Sequence, residues 1–404
     1  MVIRMMKKCS KLANIAVVSA MAVSMWAGCG SSAATEGTAA GTGGTEGASA
    51  GGSVFRIGGI GPTTGGAAIY GIAVMNAARM AVDKINATGG VNGYPVELNF
   101  QDDGHDAEKS VHAYDTLKDW GAQMIVGAVT STPCIAVAQK SREDNMFQLT
   151  PSGTAAECVQ YDNAFRVCFA DPEQGTEAAQ YISENSLAAK VAVLYDSSDV
   201  YSNGIYEAFA KEAGARNLEI VSAEAFTADR KTDFSVQLQK AKNAGADLVF
   251  LPIYYTEASL ILIQAAAMDY TPAFFGCDGM DGILGVENFN TSLAEGLMFL
   301  SPFVTDANTD TMAFTAAYEE KFGETPNQFA ADGYDAVFIL KQALEAGDAN
   351  PDMSVSDLCE AIKGAITRIE FDGLTGTDIT WAANGEPRKL PIAVKIQNGV
   401  YTMM

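Results

Sequence analysis

From Ser53 onward, short apolar runs alternate with longer stretches in which apolar residues recur every three or four positions. Residues 55–60 form the first run. A stripe of Val74, Ala78, Ala81 and Ile85 then predicts a helix from about Tyr70, ended by Gly89 and Gly90. Residues 96–101 predict a second strand, and a helix carrying Ala107, Val111, Tyr114 and Leu117 follows Asp106 as its cap. Residues 123–127 and 147–150 continue the series. A second series begins at 191–195 and runs through 218–223, 247–251 and 273–276. Such alternation implies parallel sheets with helices on both faces, and two series in succession predict two doubly wound lobes. Near the C-terminus, residues 373–380, 391–397 and 400–404 read as short strands joined by Asn384-Gly385 and Asn398-Gly399 turns.

Ligands of doubly wound sheets bind beyond the carboxyl ends of the strands. Two hydroxyl-rich turns fall there: Gly127-Ala128-Val129-Thr130-Ser131-Thr132-Pro133 and Thr150-Pro151-Ser152-Gly153-Thr154. In the first, Thr132 is predicted to cap a helix with Pro133 at its first position. A helix N-terminus offers unpaired N–H groups and partial positive charge, which suits a carboxylate. Ser131 and Thr154 add hydroxyl donors, and Gly153 lets the backbone come close. The pair reads as a cradle for a small anion; the plainer alternative is two ordinary strand-to-helix loops.

A length of 404 residues suits two lobes better than one core. The net charge of -23 argues against nucleic acid as a partner, since nothing would neutralise a phosphate backbone. Basic residues cluster at Arg4, Lys7, Lys8 and Lys11, ahead of an apolar run at 12–26 that matches a secretory leader. Ala27-Gly28-Cys29 resembles a bacterial lipoprotein cleavage box, which makes Cys29 a lipidated first residue. Trp26 departs from the leucine usual there, and an unmodified cysteine in a discarded peptide is the alternative. Residues 30–53 are almost wholly Gly, Ser, Thr, Ala and Glu and read as a flexible tether. Of seven cysteines, five lie beyond the leader, and Cys158 with Cys168 is the nearest pair. A disulfide there and buried free thiols are both open readings.

Asp102-Asp103-Gly104-His105-Asp106 suggests a metal site, but the plainer reading is a helix cap at Asp106 among solvated turn residues. His105 and His112 are the only histidines, which leaves none elsewhere for a catalytic triad. Gly59-Ile60-Gly61-Pro62 misses the dinucleotide-loop spacing, because Gly65 follows Gly61 by four. No cofactor, metal or enzymatic activity is expected.

The chain resembles the leucine/isoleucine/valine-binding proteins of bacterial ABC transporters, from about residue 54 to 401. The motifs are Gly61-Pro62, Tyr70-Gly71, Gly89-Gly90-Val91-Asn92-Gly93, Asp102-Asp103, the two hydroxyl turns, Phe165-Arg166 and Tyr201-Ser202-Asn203-Gly204. The resemblance implies an α/β, type I periplasmic-binding-protein fold: two doubly wound parallel-sheet lobes joined by a three-strand hinge. Residues 54–172 and 302–380 would form one lobe, 173–301 and 381–404 the other.

Carried over residue by residue, the resemblance puts Ser131 on a ligand carboxylate and Thr154 on both carboxylate and ammonium. Ser152 falls where a backbone carbonyl accepts from the ammonium. Tyr201 and Tyr254 match aromatics that close over the ligand. Asp278 falls where a glutamate usually pairs with the ammonium, one methylene longer. Tyr70 matches a residue of the side-chain pocket, to which Val129, Thr130 and Phe329 contribute, while Ala331 stands where bulkier residues occur. These apolar positions suggest an aliphatic or aromatic amino acid. The implied function is a monomeric receptor outside the cell, anchored to the membrane by lipid, that delivers an amino acid to an ABC permease. The alternative is a sensory module of the same fold, which would be expected to carry a transmembrane helix and signalling domain.

Overall fold

The computed structural model describes residues 53–404; the predicted leader, Cys29 and nearly all of the tether lie outside these residues. The first half of the fold runs β1 Phe55–Gly61, α1 Ala68–Ala87, β2 Val96–Asp102, α2 Ala107–Trp120, β3 Met124–Val126, α3 Ser131–Glu143, β4 Phe147–Thr150 and β5 Ala164–Arg166. These strands make an all-parallel sheet in the order β2-β1-β3-β4-β5. The second series is α4 Asp171–Glu184, β6 Lys190–Asp196, α5 Val200–Ala215, β7 Glu219–Phe226, α6 Ser235–Ala244, β8 Leu248–Leu251, α7 Tyr255–Ala267, β9 Ala273–Gly276 and β10 Met298–Ser301.

The chain then returns to the first sheet with α8 Thr309–Phe322, α9 Gln328–Ala346 and α10 Val355–Ile366. Ala336, Ile339, Leu340 and Ile362 share a buried cluster with Phe55, Ile57, Val126 and Leu149 of that sheet. The α1–α9 crossing is close because Gly333 has no side chain; a Cβ there would lie 2.9 Å from the Val74 Cα. A short antiparallel pair follows, β11 Phe371–Gly373 and β12 Gly376–Ile379, tied to α9 where Asp335 accepts from Leu374 N and Thr375 N. Finally β13 Ile392–Gln397 and β14 Val400–Met403 add antiparallel to β10, giving a seven-stranded sheet β14-β13-β10-β9-β8-β6-β7.

Three segments therefore pass between the two sheets, at 167–170, 302–308 and 380–391. This is the two-lobed α/β fold that the alternation predicted. Asn398 and Gly399 make the expected hairpin turn, both with positive φ. Asn384-Gly385 does not join two strands. It closes a small loop in the third crossing, where Arg166 N donates to the Gly385 carbonyl and the Trp381 indole donates to the Arg166 carbonyl. The five cysteines of the described residues are all free and buried, so Cys158 and Cys168 form no disulfide. Among the described residues, no helix is long and apolar enough to cross a membrane.

Candidate functional site

The turn after β3 leads straight into α3. Thr130 is the extended cap residue and Ser131 the first helical one, so the helix starts earlier than the Thr132–Pro133 expectation. Pro133 is tolerated because first-turn N–H groups have no intrahelical acceptor. The shift matters, since it puts Ser131, not Thr132, at the donor-rich end. Ser131 Oγ accepts from Ala155 N at 3.2 Å and lies 3.5 Å from the Thr154 hydroxyl, joining the two turns.

The second turn is held from behind. Thr150 Oγ1 donates to the Ala128 carbonyl at 2.7 Å and accepts from Gly153 N at 2.7 Å. Gly153 is required there, because a Cβ would meet Thr150 Oγ1 at 2.8 Å and Cys134 Sγ at 3.0 Å. The Ser152 hydroxyl is spent on the Val129 carbonyl at 2.7 Å. Arg166, fully buried, donates to the carbonyls of Gly153 (3.1 Å), Thr154 and Ala155 (2.8 Å), and its Nε pairs with Glu386 at 3.1 Å. The carbonyls thus face the guanidinium, while the Thr154 side chain lines the cavity on the other side.

The opposite wall follows β9. Asp278, 4 % exposed, accepts from the Tyr201 hydroxyl at 2.7 Å, and its own N–H donates to Gln174 Oε1 at 3.0 Å. Burial pushes the Asp278 carboxyl up to about 6, against the lowering effect of the Tyr201 and Gln174 contacts. Tyr201 is placed by the Asp199 cap, whose side chain accepts from Tyr201 N, and Tyr254 stacks on its ring at 4.8 Å and 9°. Asp171, the first residue of α4, was not singled out in the sequence because Asp171-Pro172 reads as a helix start. It is buried beside Thr154, neither carboxylate oxygen has a hydrogen bond of good geometry, and burial raises its pKa well above the ordinary range. The Thr154 hydroxyl is the nearest donor, and the Asp278 charge adds to the rise.

Tyr70 and Phe329 complete the lining with ring centroids 4.0 Å apart, and Tyr255 meets Tyr70 edge-on at 4.9 Å. Ten residues expected at the site, Phe329 among them, line one cavity together with Gly279. Ala331 is buried outside this lining. The walls are closed on each other: the free volume is about 10 Å³, room for about one water. Larger hollows of about 230, 400 and 940 Å³ exist elsewhere, but none is lined by Ser131, Thr154 or Asp278.

His105 borders the site in a way the sequence reading missed. Its Nδ1 lies 2.9 Å from Thr130 Oγ1, and its ring meets Tyr254 edge-on at 5.5 Å. Burial first, then the Lys231 charge, lowers its pKa to about 4, so it is neutral at physiological pH. The 102–106 segment is less solvated than expected. Asp106 does cap α2, accepting from Lys109 N, but Asp103 is fully buried and burial raises its carboxyl to about 7. Among the described residues, no group of acids, histidines and cysteines is arranged to hold a metal ion.

A two-sheet fold with a hydroxyl and carboxylate constellation at the strand ends has the layout of a ligand site between sheets. The family described as periplasmic binding protein matches residues 54–399, and the chain belongs to it. The Leu/Ile/Val-binding protein BraC3 of Rhizobium johnstonii is 30% identical over 332 residues, covering 81% of this chain and 89% of that one. The leucine-, isoleucine-, valine-, threonine- and alanine-binding protein of Pseudomonas aeruginosa is 29% identical over 295 residues, covering 72% and 78%. Among solved structures, LivJ of Streptococcus pneumoniae in complex with isoleucine superposes with a TM-score of 0.79 at 27% identity, covering 87% of this chain and 99% of that one. The leucine-binding protein LivK of Thermotoga maritima gives 0.78 at 28%, covering 87% and 97%. The family and these relatives are substrate-binding proteins, and the family's location is extracytoplasmic.

Proposed function

We propose that this chain captures an apolar α-amino acid between its lobes and delivers it to an ABC permease. One observation carries the reading. Neutral donors on one wall, Ser131, Thr154 and the start of α3, share the cavity lining with one buried acid, Asp278, and no basic residue lines it. A zwitterion satisfies both walls: its carboxylate takes the hydroxyl and amide donors, and its ammonium takes the Asp278 carboxylate. Closure then depends on the ligand, because only a bridging molecule with both charges pairs both sets. Val129, Tyr70 and Phe329 supply the apolar surface for a side chain. The names of the relatives, and the isoleucine held by the Streptococcus pneumoniae protein, support the amino-acid class.

The free volume requires the walls to part before a ligand enters, which the three crossings allow by hinge motion. In this reading, residues 54–172 with 302–380 move against 173–301 with 381–404. The same reading takes residues 1–28 as a leader and Cys29 as the lipid attachment, with the folded part acting as a tethered monomer. Thermal shift across the twenty amino acids tests the function, since a tight ligand raises stability by mass action. Leucine, isoleucine or valine is expected to stabilise the protein, and 4-methylpentanoate, leucine without its amine, is not. Stabilisation by a sugar and by no amino acid would overturn the assignment. Radiolabelled palmitate incorporation, lost in Cys29→Ser, tests the anchor.

A further inference from the structure

Beside the amino-acid cavity lies a second one of about 400 Å³. Ile69 and Ile72 of α1 form one side, Leu284 and Tyr401 the other, and Pro326 closes the end before α9. None of its lining residues is shared with the first cavity. Tyr70 and Phe329, stacked at 4.0 Å, belong to the first, whereas their near chain neighbours Ile69 and Asn327 line the second.

One buried acid faces this apolar space. Asp281 is 2 % exposed and lines the cavity. Its Oδ2 accepts from Gln328 N at 2.7 Å, and its Oδ1 has no hydrogen bond of good geometry, although the Gly282 N–H and the Tyr401 hydroxyl are donors close to the carboxyl. The nearby Tyr401 hydroxyl accepts from Gly282 N at 3.2 Å. Burial raises the Asp281 carboxyl to about 6, so it is mostly ionised at neutral pH. No lysine, arginine or histidine lines the cavity, and Glu324 at its margin adds a second negative group. Two first-turn donors of α9 are already used, Gln328 N on Asp281 and Ala330 N on Asn327, which weakens this end as a carboxylate site. An acid without a counter-cation, set in apolar walls, calls for a cation with an apolar body.

We propose that this cavity is a second ligand site, distinct from the amino-acid site, for a small organic ammonium ion that has an apolar body and no carboxylate. Ile69 and Ile72 belong to α1, which packs on the first sheet, while Leu284 lies in the segment after β9 and Tyr401 in β14 of the second sheet. An occupant touches both and favours the closed form, so it raises amino-acid affinity, and the amino acid raises its affinity equally.

Calorimetric titration of the full chain with phenethylammonium chloride, with and without saturating leucine, tests this. One equivalent is expected to bind, with leucine affinity severalfold higher in its presence. Asp281→Asn keeps an acceptor for Gln328 N and is expected to weaken amine binding at least tenfold. Val400→Trp, which fills the cavity from β14, is expected to abolish amine binding and leave leucine binding unchanged. Absence of amine binding under both conditions, displacement of leucine by the amine, or full amine binding in Val400→Trp would each overturn the proposal. Because the amine is also titrated alone, a failure of leucine to bind counts against the amino-acid reading and leaves this result legible.

Discussion

The Tyr70 hydroxyl donates to the Gly279 carbonyl over 2.6 Å, joining α1 above the first sheet to the turn that follows β9 in the second. The bond is buried and spans the two lobes, so it exists only when they are closed. Tyr70→Phe keeps the ring stack on Phe329 and removes this bond, together with the longer contact of 3.4 Å that the hydroxyl accepts from Tyr255 N. With a net hydrogen-bond contribution of about 0.5–1.5 kcal/mol, and a carbonyl left unpaired, amino-acid affinity should fall roughly three- to thirtyfold. Isothermal calorimetry reads the change; affinity equal to the parent would show that the bond does not favour closure.

Asp278→Asn preserves the shape and an acceptor for Tyr201 while deleting the charge that we propose meets the ligand ammonium. Removing one partner of a buried charge pair costs about 2–5 kcal/mol. Leucine affinity is therefore expected to drop at least thirtyfold while the melting temperature without ligand stays level or rises. Wild-type affinity in this variant would take Asp278 out of the site.

The Asp278 carboxyl also sets a pH dependence of two opposite signs. Its folded pKa of about 6 lies above the ordinary 3.8, so its contribution to stability is complete below about pH 4 and is lost as pH rises through 6. Binding runs the other way, because the ammonium needs the ionised acid. Affinity for leucine should rise by up to tenfold per unit as pH increases toward 6 and then level off. Neutral His105 adds nothing near pH 6. A profile measured by calorimetry should flatten in Asp278→Asn; an identical slope in the variant would assign the titration elsewhere.

Arg166 neither lines the cavity nor touches solvent, yet it holds three carbonyls of the Thr154 turn and pairs with Glu386 in the third crossing. Arg166→Ala strands Glu386 and those carbonyls, with a cost of roughly 3–5 kcal/mol. Urea unfolding should show this as a lower midpoint. Glu386→Gln keeps the carbonyl contacts and should cost about a third of that or less. Equal losses in the two variants would mean that the ion pair, not the carbonyl cage, is what Arg166 supplies.

Both strand series were legible because period-2 and period-3.6 patterns survive wherever a face is buried, as for Val74, Ala78, Ala81 and Ile85. The hydroxyl turns were legible by residue type and order, and the structure gathers Ser131, Ser152 and Thr154 with Tyr201, Tyr254 and Asp278 around one space. The helix start at Ser131 was not, because Thr130, Thr132 and Pro133 offer competing caps and only the backbone decides among them. Asp171 and Gln174 were passed over since burial, the property that sets them apart, comes from α4 packing against a turn far away in the chain. The Asn384-Gly385 turn misled for a related reason: a dipeptide signals a reversal but not which segments flank it. Asp103 looked solvated beside Asp102, although one is fully buried and the other anchors Thr63 and Thr64 at the surface.

The order in which the chain leaves and re-enters each sheet has a consequence for its synthesis. Strands β1 to β5 emerge first, yet α9, which covers α1, follows only after the parallel part of the second sheet has been made. That second sheet in turn waits for β13 and β14, the last strands of the chain. Neither half can therefore mature alone on the ribosome, and a chain stopped before residue 392 lacks two strands of one half despite holding every residue of the amino-acid cavity.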